Sequence, residues 1–175
     1  MIRVETIGNF KNGKPLALPN LTNIVVIVGK NNVGKTTLLN RISKDWRLIN
    51  PWVMDSMFFI PCALKANLPI KKLKHKDRPI SLFIDEIENG LDVETMKKLT
   101  DDLIDICRND IRSQIFLTTH SLEFLDFLSM SANKKQYWNI VVLKLSETRT
   151  KEVQVSSYNA GKIRNMLQNK IEFRY

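Results

Sequence analysis

The eight residues Gly29-Lys30-Asn31-Asn32-Val33-Gly34-Lys35-Thr36 constrain this chain more than any other stretch. They satisfy G-x-x-x-x-G-K-[ST], and the flanks suit that spacing. Asn23–Val28 is a continuous apolar run, as in a strand buried on both faces. Leu38, Leu39, Ile42 and Trp46 then recur at helical spacing, so a helix should begin near Gly34. A strand that turns through glycines into a helix lets successive backbone N–H groups converge on phosphate oxygens, with the positive end of the helix dipole behind them. The expected ligand is therefore a nucleoside triphosphate, ATP with Mg²⁺, held by Gly29, Lys30, Asn31, Asn32, Val33, Gly34, Lys35, Thr36 and Thr37. Lys35 would bridge the β- and γ-phosphates, and the Thr36 hydroxyl would reach the metal.

The rest of the chain alternates strand and helix patterns. Ile2–Ile7 reads as a half-buried strand and Gly8–Lys14 as a turn. Met57–Ile60 is a short strand ended by Pro61, and Ser81–Ile84 and Gln114–Thr118 are further buried strands. Val93–Cys107 is an amphipathic helix with Met96, Leu99, Leu103 and Ile106 on one face, and Leu122–Met130 is another helix. Trp138–Leu145 and Val153–Ser156 read as a pair of strands, before a last helix over Lys162–Gln168. Such alternation predicts a single α/β domain over residues 1–175, with a mostly parallel sheet covered by helices on both faces.

Two more strand ends carry chemistry. Ser81-Leu82-Phe83-Ile84 delivers the adjacent carboxylates Asp85 and Glu86 to the edge where open α/β sheets bind ligands. Asp85 would hold Mg²⁺, and Glu86 would orient or deprotonate the attacking water. Ile115-Phe116-Leu117 leads into Thr118-Thr119-His120-Ser121, which places one of only two histidines at the same edge. His120 there would contact the γ-phosphate and help tell ATP from ADP. Ser121 suits a helix cap, with Glu123 nearby.

The order of the P-loop, Ile84-Asp85-Glu86-Ile87-Glu88-Asn89-Gly90-Leu91-Asp92 and Thr118-Thr119-His120-Ser121 resembles the ABC-type ATPase heads of the RecF, SMC and OLD group. Ile7-Gly8-Asn9-Phe10-Lys11, the Asn-rich P-loop and Phe59-Ile60-Pro61 are similar to that group as well. Together these segments extend from about Ile2 to Phe127. The resemblance implies Asp85 as the Walker B aspartate, Glu86 as the catalytic glutamate, Asp92 as the D-loop aspartate and His120 as the switch histidine. It also implies heads that serve DNA repair, chromosome maintenance or defence. One departure stands out. Such heads carry a long insertion before Walker B, with a Q-loop glutamine, a helical lobe and a signature motif that completes a partner's site. Asn40–Ile80 contains no glutamine and no glycine. The expected domain is thus ABC-type with a reduced helical lobe, and residues 65–79 replace the usual insertion. It is either naturally minimal, one part of a split system, or a chain from which the insertion was deleted. A homodimer or a partner protein supplying the missing elements follows as an expectation.

Composition narrows the partners. With 43% hydrophobic and 26% charged residues the chain is globular rather than disordered. No apolar run reaches the roughly 18 residues of a membrane span, and Met1–Glu5 lacks a signal-peptide layout, so the expected compartment is the cytoplasm, with no membrane partner. Cys62 and Cys107 read as reduced thiols. The net charge of +9 gathers in Lys65–Arg78, Lys134–Lys151 and Lys162–Arg174. That suits nucleic acid through these basic segments, or simply a solvated surface. A small-molecule kinase would need an arginine-rich lid, whereas only Arg78 lies in the central connection. An AAA+ motor would need a helical lid with a sensor arginine, which is not evident. The remaining alternative to hydrolysis is a nucleotide-gated interaction module.

Overall fold

The computed structural model describes residues 6–7, 10, 16–19, 21–49, 57–60 and 79–169. Eight strands and four helices are defined among them. The strands are β1 (Thr6–Ile7), β2 (Leu16–Ala17), β3 (Ile24–Gly29), β4 (Met57–Ile60), β5 (Ser81–Ile84), β6 (Gln114–Thr118), β7 (Ile140–Glu147) and β8 (Val153–Asn159). The helices are α1 (Lys35–Ile49), α2 (Val93–Asn109), α3 (Leu122–Lys134) and α4 (Ala160–Gln168). β1 and β2 form a small antiparallel pair. The other six make one sheet in the order β4-β5-β6-β3-β7-β8, parallel throughout except for the β7–β8 hairpin. The mixed α/β fold with a mostly parallel, helix-flanked sheet is as expected.

β3 shows why the sheet has two cores. All six of its residues are buried, and successive side chains of a strand point to opposite faces. Ile24, Val26 and Val28 pack with Leu103, Ile104, Phe124 and Leu128 of α2 and α3. Val25 and Ile27 pack on the other face with Leu38, Leu39 and Ile42 of α1 and with Phe10 and Leu16. On that second face the Phe83 and Phe116 rings stack with centroids 4.9 Å apart.

Several boundaries moved. Of the expected first strand only Thr6–Ile7 is described, and the turn over Gly8–Lys14 lies almost wholly outside the described residues, apart from Phe10. β2, not foreseen, pairs back on β1. Trp138 is not in a strand and is 52% exposed, because the chain first leaves α3 through Gln136 at φ 50. β7 then starts at Ile140 and continues to Glu147. β8 extends to Asn159, whose side chain accepts from Lys162 N and starts α4 two residues earlier than expected. Met96, Leu99, Leu103 and Ile106 are buried on α2 as the spacing implied. The basic connection over residues 65–79, apart from Pro79, lies outside the described residues, as does Cys62. Among the described residues no helix is long and apolar enough to cross a membrane. Cys107 is free and buried, and burial pushes its thiol up to about 12, so it stays protonated at neutral pH.

Candidate functional site

Three parallel strands end level with one another. Ile27 of β3 is opposite Thr118 of β6, and Leu117 of β6 is opposite Ile84 of β5. The P-loop, Asp85–Glu86 and Thr118–His120 therefore leave the sheet at one edge. β6 lies between the other two strands, which makes His120's segment the middle of the three.

Gly29 closes β3 with φ 150, and a Cβ there would meet the Leu145 carbonyl oxygen of β7 at 2.6 Å and Val33 Cγ1 at 2.9 Å. Only a residue without a side chain lets the loop turn this close to β7. Asn32 (φ 63) and Gly34 (φ 108) complete the turn into α1. Lys35 is 8% exposed, and its Nζ donates to the carbonyls of Gly29 and Lys30, both at 3.0 Å. Burial holds its amine below the ordinary lysine value, against the pull of Glu86, Glu88 and Asp85 in the other direction. The N–H groups of Lys35, Thr36 and Thr37 open α1 and, by helix geometry, lack an intrahelical acceptor.

Those residues, with Asn31, Asn32 and Gly34, line a recess of about 580 Å³. Glu86 and His120 line it as well. Thr36 Oγ1 donates to both Asp85 carboxylate oxygens, at 3.1 and 2.9 Å. Thr118, fully buried, donates to Asp85 Oδ1 at 2.6 Å, and the Glu86 N–H donates back to the Thr118 hydroxyl at 2.7 Å. Glu86 itself is held at φ 45, a left-handed conformation that costs a non-glycine residue on the order of 1–3 kcal/mol and tends to mark functional sites. Thr36 and Asp85 offer only oxygen donors, a hard set that suits Mg²⁺ held by one or two side chains plus phosphates and water. Among the described residues no group of three or more His, Cys, Asp or Glu forms an all-protein metal cage.

The expected residues do not all face the same space. Gly29 is not among the residues that line this recess. Lys30 and Val33 line a second recess of about 310 Å³ with Lys144, Leu145, Glu147 and Thr148 of the β7–β8 hairpin, and Asn31 borders both recesses. Asp92 caps α2 by accepting from the Thr95 N–H at 2.8 Å, a bond that holds its carboxyl below the usual range. Ser121 caps α3 by accepting from Phe124 N at 3.1 Å.

Two participants carried no expected role. Thr118 ties Asp85 to Glu86. The Glu88 carboxylate, with its side chain 11% exposed, accepts from Thr119 Oγ1 at 2.7 Å and from the His120 N–H at 2.9 Å, and its Oε1 lies 2.6 Å from His120 Nδ1. The spacing of Glu88, three residues past the strand-end aspartate, was visible. Its direction was not, because it depends on the left-handed Glu86 and on the Ile87 N–H bonding the Thr118 carbonyl at 3.0 Å.

Comparison with known proteins agrees with this architecture. Residues 73–126 match the family described as "AAA domain, putative AbiEii toxin, Type IV TA system". Residues 24–54 match that described as "50S ribosome-binding GTPase". An ATP/GTP phosphatase of Helicobacter pylori (strain ATCC 700392 / 26695) is 37% identical over 76 residues, which is 42% of this chain and 20% of that protein. The chain thus matches about a fifth of the length of that relative. Among solved structures, the archaeal ribosome recycling factor aABCE1, in complex with the ribosomal stalk protein aP1, aligns with a TM-score of 0.54 at 11% identity, over 93% of this chain and 44% of that one. CbiO1 from Clostridium perfringens, part of the ABC transporter complex cbiONQ, aligns with a TM-score of 0.50 at 14% identity, over 95% of this chain and 91% of that one. The fold is thus the mixed α/β P-loop NTPase fold, with a mostly parallel sheet flanked by helices, that these solved structures share.

Proposed function

We propose that this chain is an ATP-binding, Mg²⁺-dependent ATP-hydrolysing head related to the RecF, SMC and OLD group. The observation that carries the reading is the shared recess. A loop and helix start built for phosphates face Glu86 and His120 across it, with Thr36 and Asp85 in contact at its wall. In this reading Lys35 and the first turn of α1 hold the β- and γ-phosphates, Thr36 and Asp85 hold Mg²⁺, and Glu86 takes the proton of the attacking water. Bound there, the metal supplies charge neutralisation on the β/γ oxygens. The nucleoside extends past Asn31 toward the second recess, whose volume suits a ligand of that size. The motif order and the basic charge of the chain support a role beside nucleic acid in repair, maintenance or defence.

The stretch Asn40–Ile80, without glutamine or glycine, favours a second reading, a nucleotide-gated interaction module with little turnover. Phosphate release from labelled ATP and GTP, with and without DNA, decides between the two. Lys35-dependent release supports the ATPase, and faster release with ATP than with GTP supports the nucleotide assignment. Tight binding without release over many hours supports the gated module.

A further inference from the structure

We propose that Glu88 is a positioning residue that fixes the tautomer of His120, making its ring a hydrogen-bond acceptor for the attacking water rather than a donor to the γ-phosphate. The inference rests on the nucleotide-hydrolysing reading of the recess, and it changes the role expected of the histidine. A carboxylate has only lone pairs to offer. His120 Nδ1 lies 2.6 Å from Glu88 Oε1, so Nδ1 carries the proton. In the neutral ring the other nitrogen, Nε2, is then an acceptor. An acceptor meets a phosphate oxygen lone pair to lone pair, which is repulsive, but it can receive a hydrogen bond from water.

The clamp is well built for this. The same carboxylate takes the backbone N–H of His120 at 2.9 Å and the hydroxyl of buried Thr119 at 2.7 Å. Ring and backbone of the histidine are thus held against one group that is itself largely buried. Glu86 lines the same recess as His120. A water donating one hydrogen to Glu86 and the other to Nε2 turns a lone pair to the terminal phosphorus. As its oxygen bonds to that phosphorus, the bond to the bridging oxygen breaks, the nucleoside diphosphate leaves, and the water's proton passes to Glu86. A carboxylate that sets the tautomer of a catalytic imidazole has the same logic in the Ser-His-Asp triad.

The test is a ¹⁵N-histidine spectrum of the full, nucleotide-free chain. Only His75 and His120 contribute, and His75→Gln isolates the second. Wild type should show a protonated Nδ1 and a bare Nε2, and Glu88→Gln, nearly the same shape, should move the signals toward the Nε2–H form. A wild-type Nε2–H ring, or a spectrum unchanged in Glu88→Gln, overturns the proposal. If Glu88→Gln does not fold, the wild-type spectrum alone decides. In nucleotide assays His120→Ala and Glu88→Gln should each lower kcat at least tenfold, while ATP affinity and the ATP-over-ADP preference stay within about threefold. Loss of that preference with kcat retained would instead make the ring a phosphate donor and overturn the proposal. Failure of the nucleotide reading has a separate signature: no nucleotide bound by wild type, whatever the tautomer.

Discussion

Lys35, Asp85 and Glu86 stand at the same edge of the sheet, yet each answers to a different physical demand. The Lys35 amine is buried, and its native pKa falls below the 10.5 of an exposed lysine. Between that lowered value and 10.5 the unfolded chain binds more protons than the native one, so through this site stability rises with pH in that window. Nucleotide affinity needs the ammonium and should move the other way, falling before pH 10.5 is reached. Paired denaturation and ATP titrations over that range check the opposing signs, and affinity that holds level to pH 10.5 would contradict the burial argument. Glu86 pays for its left-handed backbone with strain, which suits a residue kept for chemistry rather than packing. Glu86→Gln should therefore keep ATP affinity and lower turnover on the order of a hundredfold, since a positioned base is lost. Equal losses of binding and turnover would make Glu86 a ligand or a structural residue.

At the scale of elements, β6 is the member on which the site depends most. It separates the P-loop strand from the Asp85 strand, and all five of its residues are buried. Phe116 is its largest side chain, fully buried and stacked on Phe83 of β5. Phe116→Ala should cost about 3–5 kcal/mol, a large part of the roughly 5–15 kcal/mol that holds a domain folded. Urea unfolding measures it. A loss below about 1 kcal/mol would mean the β5–β6 interface is not the tightly packed core described. These elements were largely legible because their apolar runs and helical spacing are local signals. β2, two residues long, has no such signal, and Trp138 looked like strand because its bulk and apolar neighbours outweighed the turn at Gln136. Glu88 and Thr118 were in plain view but became partners only through tertiary placement. So did the second recess, which exists because β7 is the neighbour of β3, and strand order is not written in local pattern.

For the whole molecule, the basic segment over residues 65–78 lies apart in the sequence from the P-loop at Gly29–Thr36. Residues 65–78 hold Lys65, Lys71, Lys72, Lys74, Lys76 and Arg78 against Asp77 alone. If this segment meets phosphates of DNA or RNA, log K should fall with log salt at about −0.9 per contact. Replacing Lys71, Lys72 and Lys74 with alanine should flatten that slope by roughly two to three units and leave ATP affinity unchanged. A slope that stays the same places the contact on the other basic regions, and no binding at low salt removes nucleic acid from the account. The central claim, that the recess at the sheet edge binds a nucleoside triphosphate through its loop lysine, is tested most directly by calorimetric titration of Mg-ATP into wild type and Lys35→Ala. Wild type should bind saturably and the variant at least tenfold more weakly, by about 1.4 kcal/mol, because the charge on the β/γ-phosphates is gone. Equal affinities in the two proteins would contradict it.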